Sequence, residues 1–366
     1  SVDKRGPKSD EAYVREVLQD LAAVTKKEDR ILIINDEAHH AWRVPAESKL
    51  KGVKKEEITE ATIWVSGLDR IHKVRPILSC YDFSATPFAP SGKKSDEDAL
   101  FSWIVSDFSL NDAIESGLVK TPRIVIRDDG RKDFETLRSR IYHLYNDPDV
   151  KDDLNQPAEE KATLPQLVRN AYLLLGQDWL ATAKAWEKIG HRTRPVMITV
   201  ANRTETAARV KYAFDHGKIP IEELCDPDRT LHIDSKVLEM AEAVEEQSEP
   251  AGTEPEGRDE IEGEQEAEAT PKFSKKEQAE NLRKMVDTVG REGKPGERIQ
   301  NVISVGMLSE GWDVKTVTHI MGLRAFSSQL LCEQVVGRGL RRTSYEVSDQ
   351  DGFFPPEYVN IFGVPF

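Results

Sequence analysis

The stretch Ile31-Leu32-Ile33-Ile34-Asn35-Asp36-Glu37-Ala38-His39-His40 decides how the chain is interpreted. Its four branched apolar residues run without alternation, a pattern typical of a strand that is buried on both faces of a parallel sheet. Ligands of open α/β sheets bind at the carboxyl ends of the strands. Asp36 and Glu37 follow the apolar run directly, so the sequence predicts that both carboxylates lie at a binding edge.

The composition is that of a globular protein with an acidic insert. The chain has 366 residues, of which 38% are hydrophobic and 32% charged, and its formal net charge is −14. Residues 239–269 contain twelve Glu, one Asp and one Arg, so this tract carries −12 and the rest of the chain only −2. The tract has too few apolar residues to offset the entropy of ordering, which predicts disorder. Because the remainder is nearly neutral, the net charge decides neither for nor against nucleic-acid binding.

The sequence shows no sign of a membrane or secreted protein. No apolar run approaches the ~20 residues that cross a bilayer, and the first residues lack the apolar core of a signal peptide. The cysteines are far apart in the chain, as is typical of reduced thiols. They are Cys80, Cys225 and Cys332. These features predict a cytoplasmic protein with no membrane partner.

Apolar periodicity predicts a first α/β region over residues 1–126. It contains the strand before Asp36 and a second strand of the buried type, Ile77 to Phe83. A third run, Pro122 to Ile126, is interpreted as the strand that leads out of this region.

A second α/β region is predicted over residues 192–344, with the acidic insert inside it. Residues 127–191 combine polar turns with a long helical pattern, Leu164 to Ile189, and are interpreted as a helical connector. The run Tyr358 to Phe362 is interpreted as a strand that opens a truncated segment, 345–366.

Three further short motifs follow the carboxylate pair in order. Ser84-Ala85-Thr86 comes after the second predicted strand, the stretch from Gly306 to Asp313 joins a predicted strand to a helix, and Gln334-Val335-Val336-Gly337-Arg338-Gly339-Leu340-Arg341 ends a predicted helix. Because Arg338 and Arg341 are three positions apart, both guanidiniums are expected on one side of that helix. Taken alone, each motif has a structural alternative: a solvated acidic pair, a hydroxyl-capped turn, or a basic helix end that complements the helix dipole.

Together, the motifs resemble those of superfamily-two helicases and translocases of the DEAD/DEAH type. Asp36 to His39 resembles motif II (Walker B), the Ser84 tripeptide motif III, Thr199 to Thr206 motif IV, and the stretch from Gly306 motif V. The stretch from Gln334 fits the motif VI pattern QxxGRxxR at every fixed position. The residues around the motifs are most similar to the Res (motor) subunit of type III restriction enzymes. The resemblance implies two RecA-like parallel-sheet domains, the first of them incomplete.

The resemblance assigns the catalytic residues of an ATPase. Phosphoryl transfer to water needs Mg²⁺ on the phosphates and a group that orients the attacking water. By this resemblance Asp36 binds Mg²⁺ and Glu37 positions the water. Gln334, Arg338 and Arg341 act on the γ-phosphate from the second domain, the arginines by neutralising its developing charge.

The resemblance also assigns coupling and binding residues. His39, Ser84 and Thr86 couple the state of the nucleotide to domain movement, with His39 facing Gln334. The ATP contacts are Gly311 and Asp313, and the nucleic-acid contacts are Arg203, Thr204, Ser235 and Gly306.

The function that this resemblance implies is an ATP-dependent DNA translocase or helicase motor of a restriction enzyme. Its cofactors are ATP and Mg²⁺, its main partner is double-stranded DNA, and a methyltransferase or specificity subunit is a further expected partner. An endonuclease domain would lie outside the chain. Two alternatives stay open: a non-catalytic scaffold for nucleic-acid binding or assembly, and a general DNA-repair or RNA helicase with the same motor.

One motif of the family, GxxxxGK followed by Ser or Thr, does not occur in the 366 residues. The Gly-Lys pairs of the chain all follow motif II and continue with a different residue. They are Gly92-Lys93-Lys94, Gly217-Lys218-Ile219 and Gly293-Lys294-Pro295. The amides and lysine of this P-loop carry most of the triphosphate binding. The chain is therefore expected to be a fragment that by itself binds ATP weakly and hydrolyses it negligibly.

Overall fold

The structure is a computed structural model that describes residues 9–19, 30–41, 55–85, 88–89, 99–100, 103–124, 141–233, 275–305, 312–326 and 329–365. The acidic tract 239–269 lies outside the described residues. The chain forms two compact units, Ser1–Asp107 and Phe108–Phe366. Both units combine helices with parallel strands, which confirms the predicted α/β class.

The first unit is built around a two-stranded parallel sheet. Strand β1 (Ile31–Asn35) pairs with β2 (Ile77–Asp82), and Asn35 lies opposite Asp82 at the carboxyl ends. Helix α1 (Asp10–Val17) packs against α2 (Lys55–Val74). A short antiparallel pair follows β2 and consists of β3 (Phe88–Ala89) and β4 (Ala99–Leu100).

The burial of β1 and β2 differs from the prediction. The side chains of Leu32 and Ile34 in β1 are 49% and 66% exposed, and Tyr81 in β2 is 55% exposed. The prediction of strands buried on both faces is therefore wrong for this unit. The physical reason is that the described residues contribute only two strands to the sheet, so each strand has an unpaired edge and a face with little cover.

The second unit is organised by a six-stranded sheet in which every strand is parallel to its neighbours. Its strands are β5 (Thr121–Ile124), β6 (Val196–Ala201), β7 (Thr230–Ile233), β8 (Asn301–Ser304), β9 (Val317–Leu323) and β10 (Tyr358–Phe362). Their order in space is β5-β10-β9-β6-β8-β7. Strands β6, β8 and β9 are buried along their whole length, their polar residues included, as is typical of inner strands in a parallel sheet that is covered on both faces.

Helices cover both faces of this sheet. The helices among the described residues of this unit are α3 (Leu110–Glu115), α4 (Pro148–Asn155), α5 (Gln166–Lys188), α6 (Thr204–Asp215), α7 (Lys275–Asp287) and α8 (Gln329–Gly337). One apolar cluster packs α4, α5 and α6 against the face that carries Met197, and a second packs α7 and α8 against the face that carries Ile198. Within the part of the chain that is described, no helix is both long enough and apolar enough to cross a bilayer.

The helix predicted as a connector, α5, is an integral layer of the second unit. Its buried Trp179 donates from Nε1 to the carbonyl oxygen of Pro195 at 2.8 Å. The hydroxyl of Tyr172 lies 2.9 Å from Oγ1 of Thr199 in β6. The helical pattern alone could not show this, because an amphipathic face does not specify the surface that it covers.

The edges of the second unit also differ from the predicted boundaries. The first unit ends at Asp107 rather than at residue 126, because β5 pairs with β10 of the six-stranded sheet. The strand predicted to open a truncated segment, β10, pairs with β5 on one side and β9 on the other. It is therefore an inner strand of the sheet.

Candidate functional site

The two predicted carboxylates lie at the carboxyl end of β1. Asp36 is the first residue after the strand, and its Oδ1 accepts a hydrogen bond from the backbone N–H of Glu37 at 3.0 Å. Glu37 has φ 48° and ψ 42°, the one left-handed backbone conformation at a non-glycine residue in the described ranges. Such a conformation costs on the order of 1 kcal/mol or more and persists only where the surroundings hold it. Contacts around Glu37 must therefore fix this turn.

Hydrogen bonds beyond the ends of β1 and β2 hold this turn. Nδ2 of Asn35 donates to Oδ1 of Asp82 at 2.7 Å. The backbone N–H of Phe83 then donates to the carbonyl of Asn35 at 2.8 Å, and the N–H of Ala38 donates to the carbonyl of Phe83 at 2.9 Å. The pairing of the two strands thus continues past their last residues, and it brings the segment after Asp82 beside the carboxylate pair.

His39 joins the two motifs of the first unit. Its Nδ1 lies 3.0 Å from Oγ of Ser84 and 3.4 Å from Oε2 of Glu37. Glu37 of motif II and Ser84 of motif III therefore both contact the same atom, Nδ1 of His39. Thr86, the third predicted coupling residue, lies outside the described residues.

An aromatic stack beside His39 was not predicted from the sequence. The ring of His40 is tilted against that of His39, with centroids 4.1 Å apart, and stacks on Trp64 of α2 at 6.4 Å and an interplanar angle of 16°. Neither His40 nor Trp64 is among the site residues that the sequence predicts. No local sequence signal relates the two, because the contact depends on how α2 packs on the turn.

In the second unit, motif VI begins on a helix but does not stay on it. Helix α8 ends at Gly337, and Arg338 and Gly339 form a turn in which Gly339 N–H donates to the carbonyl of Val336 at 2.8 Å. The expectation that both arginines lie on one side of a helix is therefore wrong. The physical reason is that Gly337 and Gly339 lower the helix propensity of this segment, and the backbone closes into a tighter turn.

The arginines of this turn are held by the end of motif V. Nε of Arg341 forms an ion pair with Oδ1 of Asp313 at 2.8 Å, and the two side chains are 38% and 45% exposed. Nη1 of Arg338 donates to the backbone carbonyl of Trp312 at 3.3 Å. Trp312 is itself buried and donates from Nε1 to the carbonyl of Val286 at 2.9 Å. The structure thus brings predicted residues of motifs V and VI together within one unit.

The ion pair between Asp313 and Arg341 lies near the amino-terminal ends of strands in the six-stranded sheet. Asp313 shortly precedes β9, and the carbonyl of Leu340, next to Arg341, accepts a hydrogen bond from Lys120 N–H directly before β5 at 2.7 Å. The expected binding edge of such a sheet is the opposite one, at the carboxyl ends. The rule that sites lie at the carboxyl ends of strands therefore does not predict the pair of Asp313 and Arg341.

Motif IV lies at the carboxyl end of β6. Arg203 precedes α6 and binds both carboxylate oxygens of Glu205, from Nε and from Nη2, each at 2.9 Å. Its Nη1 donates to the carbonyl of Asn155 at 2.7 Å. The hydrogen bonds from Arg203 lower the pKa of Glu205, which keeps the pair ionised. Thr204, the first residue of α6, is exposed.

The remaining predicted site residues lie outside the described residues. They are Ser235, Gly306 and Gly311. Gln334 is half-buried on α8.

The donor set at β1 fits the ion that the resemblance implies. In the described ranges, no group of three or more His, Cys, Asp or Glu side chains could hold a metal ion. Mg²⁺ that accompanies a nucleotide commonly takes one or two protein carboxylates, with phosphates and water as its other ligands. Asp36 is exposed at the strand end and presents carboxylate oxygens there, so it suits Mg²⁺ bound together with a nucleotide.

Comparison with known proteins gives structural neighbours only. No protein-family model and no curated protein matches the chain. One similar solved structure is the ATP-dependent type ISP restriction-modification enzyme LlaBIII bound to DNA, with 16% identity and a TM-score of 0.38 over 95% of this chain and 19% of that one. Another is a fragment described as an HsdR subunit of a type I restriction enzyme from Vibrio vulnificus, with 15% identity and a TM-score of 0.37 over 82% of this chain and 42% of that one. The chain spans less than half the length of either.

Proposed function

We propose that the chain is part of the ATP-hydrolysing motor of a DNA translocase or helicase, in a restriction system of the type III kind, and that without a P-loop it hydrolyses ATP negligibly by itself. The observation that carries the proposal is the junction at the ends of β1 and β2. There Glu37, His39 and Ser84 are joined by contacts of 3.0 and 3.4 Å, although His39 and Ser84 are 45 positions apart in the sequence. A solvated acidic pair would not require this arrangement. A hydrolytic site in which the state of the nucleotide controls movement of the protein does require it.

The proposed reaction is attack of water on the γ-phosphate of ATP. Glu37 orients the water and accepts its proton as the water oxygen bonds to the γ-phosphorus. The bond from that phosphorus to the β–γ bridging oxygen breaks, and ADP leaves with the electron pair. Asp36 would hold Mg²⁺, which supplies neutralisation of the phosphate charge when bound. The imidazole of His39, 3.4 Å from the Glu37 carboxylate, limits the directions that this carboxylate can take.

The proposal assigns the positive charge needed in the reaction to the arginines of motif VI. Arg338 and Arg341 are assigned to the negative charge that develops on the transferred phosphoryl group, and Gln334 to the same group. Both arginines are presented by a turn whose backbone is anchored by buried neighbours such as Leu340. A guanidinium on a fixed backbone loses less conformational freedom when it binds phosphate.

Coupling and DNA binding complete the proposed motor. The contact between His39 and Ser84 is the proposed link from nucleotide state to movement, and Thr86 is assigned to the same role. At β6, Arg203 is proposed to bind the DNA backbone, exchanging Glu205 for phosphate oxygens. The further proposed contacts are Thr204, Ser235 and Gly306 for DNA and Gly311 and Asp313 for ATP.

A displacement assay distinguishes a motor from a scaffold. The protein as its gene encodes it is given a linear duplex that carries a distant triplex-forming strand, with ATP and Mg²⁺. A motor releases the third strand with ATP and not with a non-hydrolysable analogue, and Glu37→Gln abolishes the release. Asp349→Asn, an exposed carboxylate outside every motif, is the matched control and should leave it unchanged. ATP-independent DNA binding without release would reject the motor and favour the scaffold.

A further inference from the structure

The carboxylate of Asp313 has a fixed backbone on both sides. Its neighbours Trp312 and Val314 are only 3% and 2% exposed, and the indole of Trp312 is hydrogen-bonded to the carbonyl of Val286 at 2.9 Å. Asp313 itself is 45% exposed. The structure therefore presents this carboxylate to solvent between two buried residues.

Arg341 is held in a comparable way. Leu340 and Arg342 on either side of it are each 3% exposed. Arg342 donates from Nε to the carbonyl of Ser344 at 3.1 Å and lies 3.5 Å from the carboxylate of Glu357. The two partners of the ion pair thus project from two backbone segments that buried neighbours hold in place.

The ion pair between Asp313 and Arg341 uses Nε of the guanidinium, so the terminal nitrogens can bind another anion. Asp313 engages Arg341 through Nε, and Arg341 forms no other ion pair or side-chain hydrogen bond with the described residues. A carboxylate on Nε restrains the plane of the guanidinium and leaves the terminal Nη donors, which suit a bidentate phosphate. A carboxylate that itself faced the phosphates would instead repel them.

We infer that Asp313 is a positioning residue for Arg341: it binds Nε and directs the terminal nitrogens towards the transferred phosphoryl group. This inference rests on the proposed function and replaces a direct contact of Asp313 with ATP. The two roles differ chemically. A carboxylate that binds the nucleotide directly must accept from ribose hydroxyl groups, whereas a positioning carboxylate acts only through Arg341.

The ion pair is tested first without turnover. Asp313→Asn, Arg341→Gln and the double variant of the 366-residue chain are unfolded in urea at low salt and again at high salt. If the pair forms, the double variant is more stable than the sum of the single effects predicts, and this excess shrinks at high salt. Additive effects at low salt would overturn the inference, whatever the activity of the protein.

The role is then tested by turnover in the protein as its gene encodes it. Asp313→Asn should lower kcat on the order of 10²-fold, as misplacement of a catalytic group does, by the same factor for ATP and for its 2′-deoxy and 3′-deoxy analogues. Added to Arg341→Ala it should cause no further loss. Asp313→Glu should recover part of the activity, and Asp349→Asn is the matched control.

A different pattern would overturn the positioning role. If Asp313→Asn slows ATP but not a deoxy analogue, and adds its full effect to Arg341→Ala, Asp313 binds the ribose directly. If the wild-type protein hydrolyses no ATP with DNA and Mg²⁺ present, the proposed function fails, and the unfolding cycle still decides whether the pair exists.

Discussion

Gly339, two residues after the glycine of motif VI, should not tolerate even alanine. A Cβ built on it would lie 2.8 Å from Cγ2 of Val359 and 2.9 Å from Cδ1 of Ile320, and both side chains are 0% exposed. Ile320 can move its terminal methyl group, but Val359 is β-branched and stiff at χ1. Overpacking of this kind costs about 1–3 kcal/mol. Gly339→Ala should therefore lower the free energy of unfolding by that amount.

Gly337 provides the matched control. A Cβ built on it meets nothing within 4 Å in the described part of the chain, and it is the last residue of α8. Gly337→Ala should leave stability unchanged or raise it by up to about 1 kcal/mol through helix propensity. Because the packing of the second unit does not demand this glycine, a loss of ATP turnover in Gly337→Ala would reflect its part in the site.

Urea unfolding of the two variants, followed by circular dichroism, measures both effects. The double variant Gly339→Ala, Val359→Ala should be more stable than the summed single losses, because the new methyl group enters the space that valine leaves; coupling of about 0.5–3 kcal/mol is typical of contacting residues. If Gly339→Ala unfolds at the wild-type midpoint, or if the two substitutions simply add, the assigned packing of motif VI on the sheet is incorrect.

Three further predictions concern charge and nucleotide. Lys120 is 1% exposed, and burial lowers its pKa to about 8 against the attraction of Glu357. Because the unfolded chain then binds more protons above that pKa, wild-type stability relative to Lys120→Met should rise by about 2 kcal/mol from about pH 7 to about pH 9.5; a flat difference in urea titrations would refute this. Arg338→Ala and Arg341→Ala should each slow ATP hydrolysis by ~10³-fold and spare DNA binding at fixed salt, and near-normal turnover in both would reject their role. Calorimetry should find weak ATP binding by residues 1–366 alone, since the P-loop motif is absent from them, and tight binding would contradict this.

The sequence predicted the elements whose signal is local. Helix α5 follows from a pattern with a 3.6-residue period and lies within the predicted stretch, Leu164 to Ile189, and strand β10 occupies the predicted run Tyr358 to Phe362. The local apolar run before Asp36 likewise forms a strand, β1, whereas the binding role of the two carboxylates stays a prediction. The burial of β1 was not predicted correctly. It depends on how many strands flank β1, and a strand's own residues do not specify its neighbours.

Contacts between distant segments could not be predicted in this way. The pair of Asp313 and Arg341 depends on the turn at Gly339, which packs against Val359 and Ile320. The contact between His39 and Ser84 was anticipated only as a shared role, and its geometry follows from hydrogen bonds that continue past the ends of two strands. Tertiary packing determines each of these distances.

The most direct test of the central claim is DNA-stimulated ATP hydrolysis by the protein as its gene encodes it, with Mg²⁺ and with Glu37→Gln measured in parallel. We expect turnover that rises when duplex DNA is added and that Glu37→Gln abolishes, while the variant still folds. Equal turnover in the wild type and Glu37→Gln, or no turnover in the wild type with DNA present, would contradict the assignment of Glu37 as the residue that activates water.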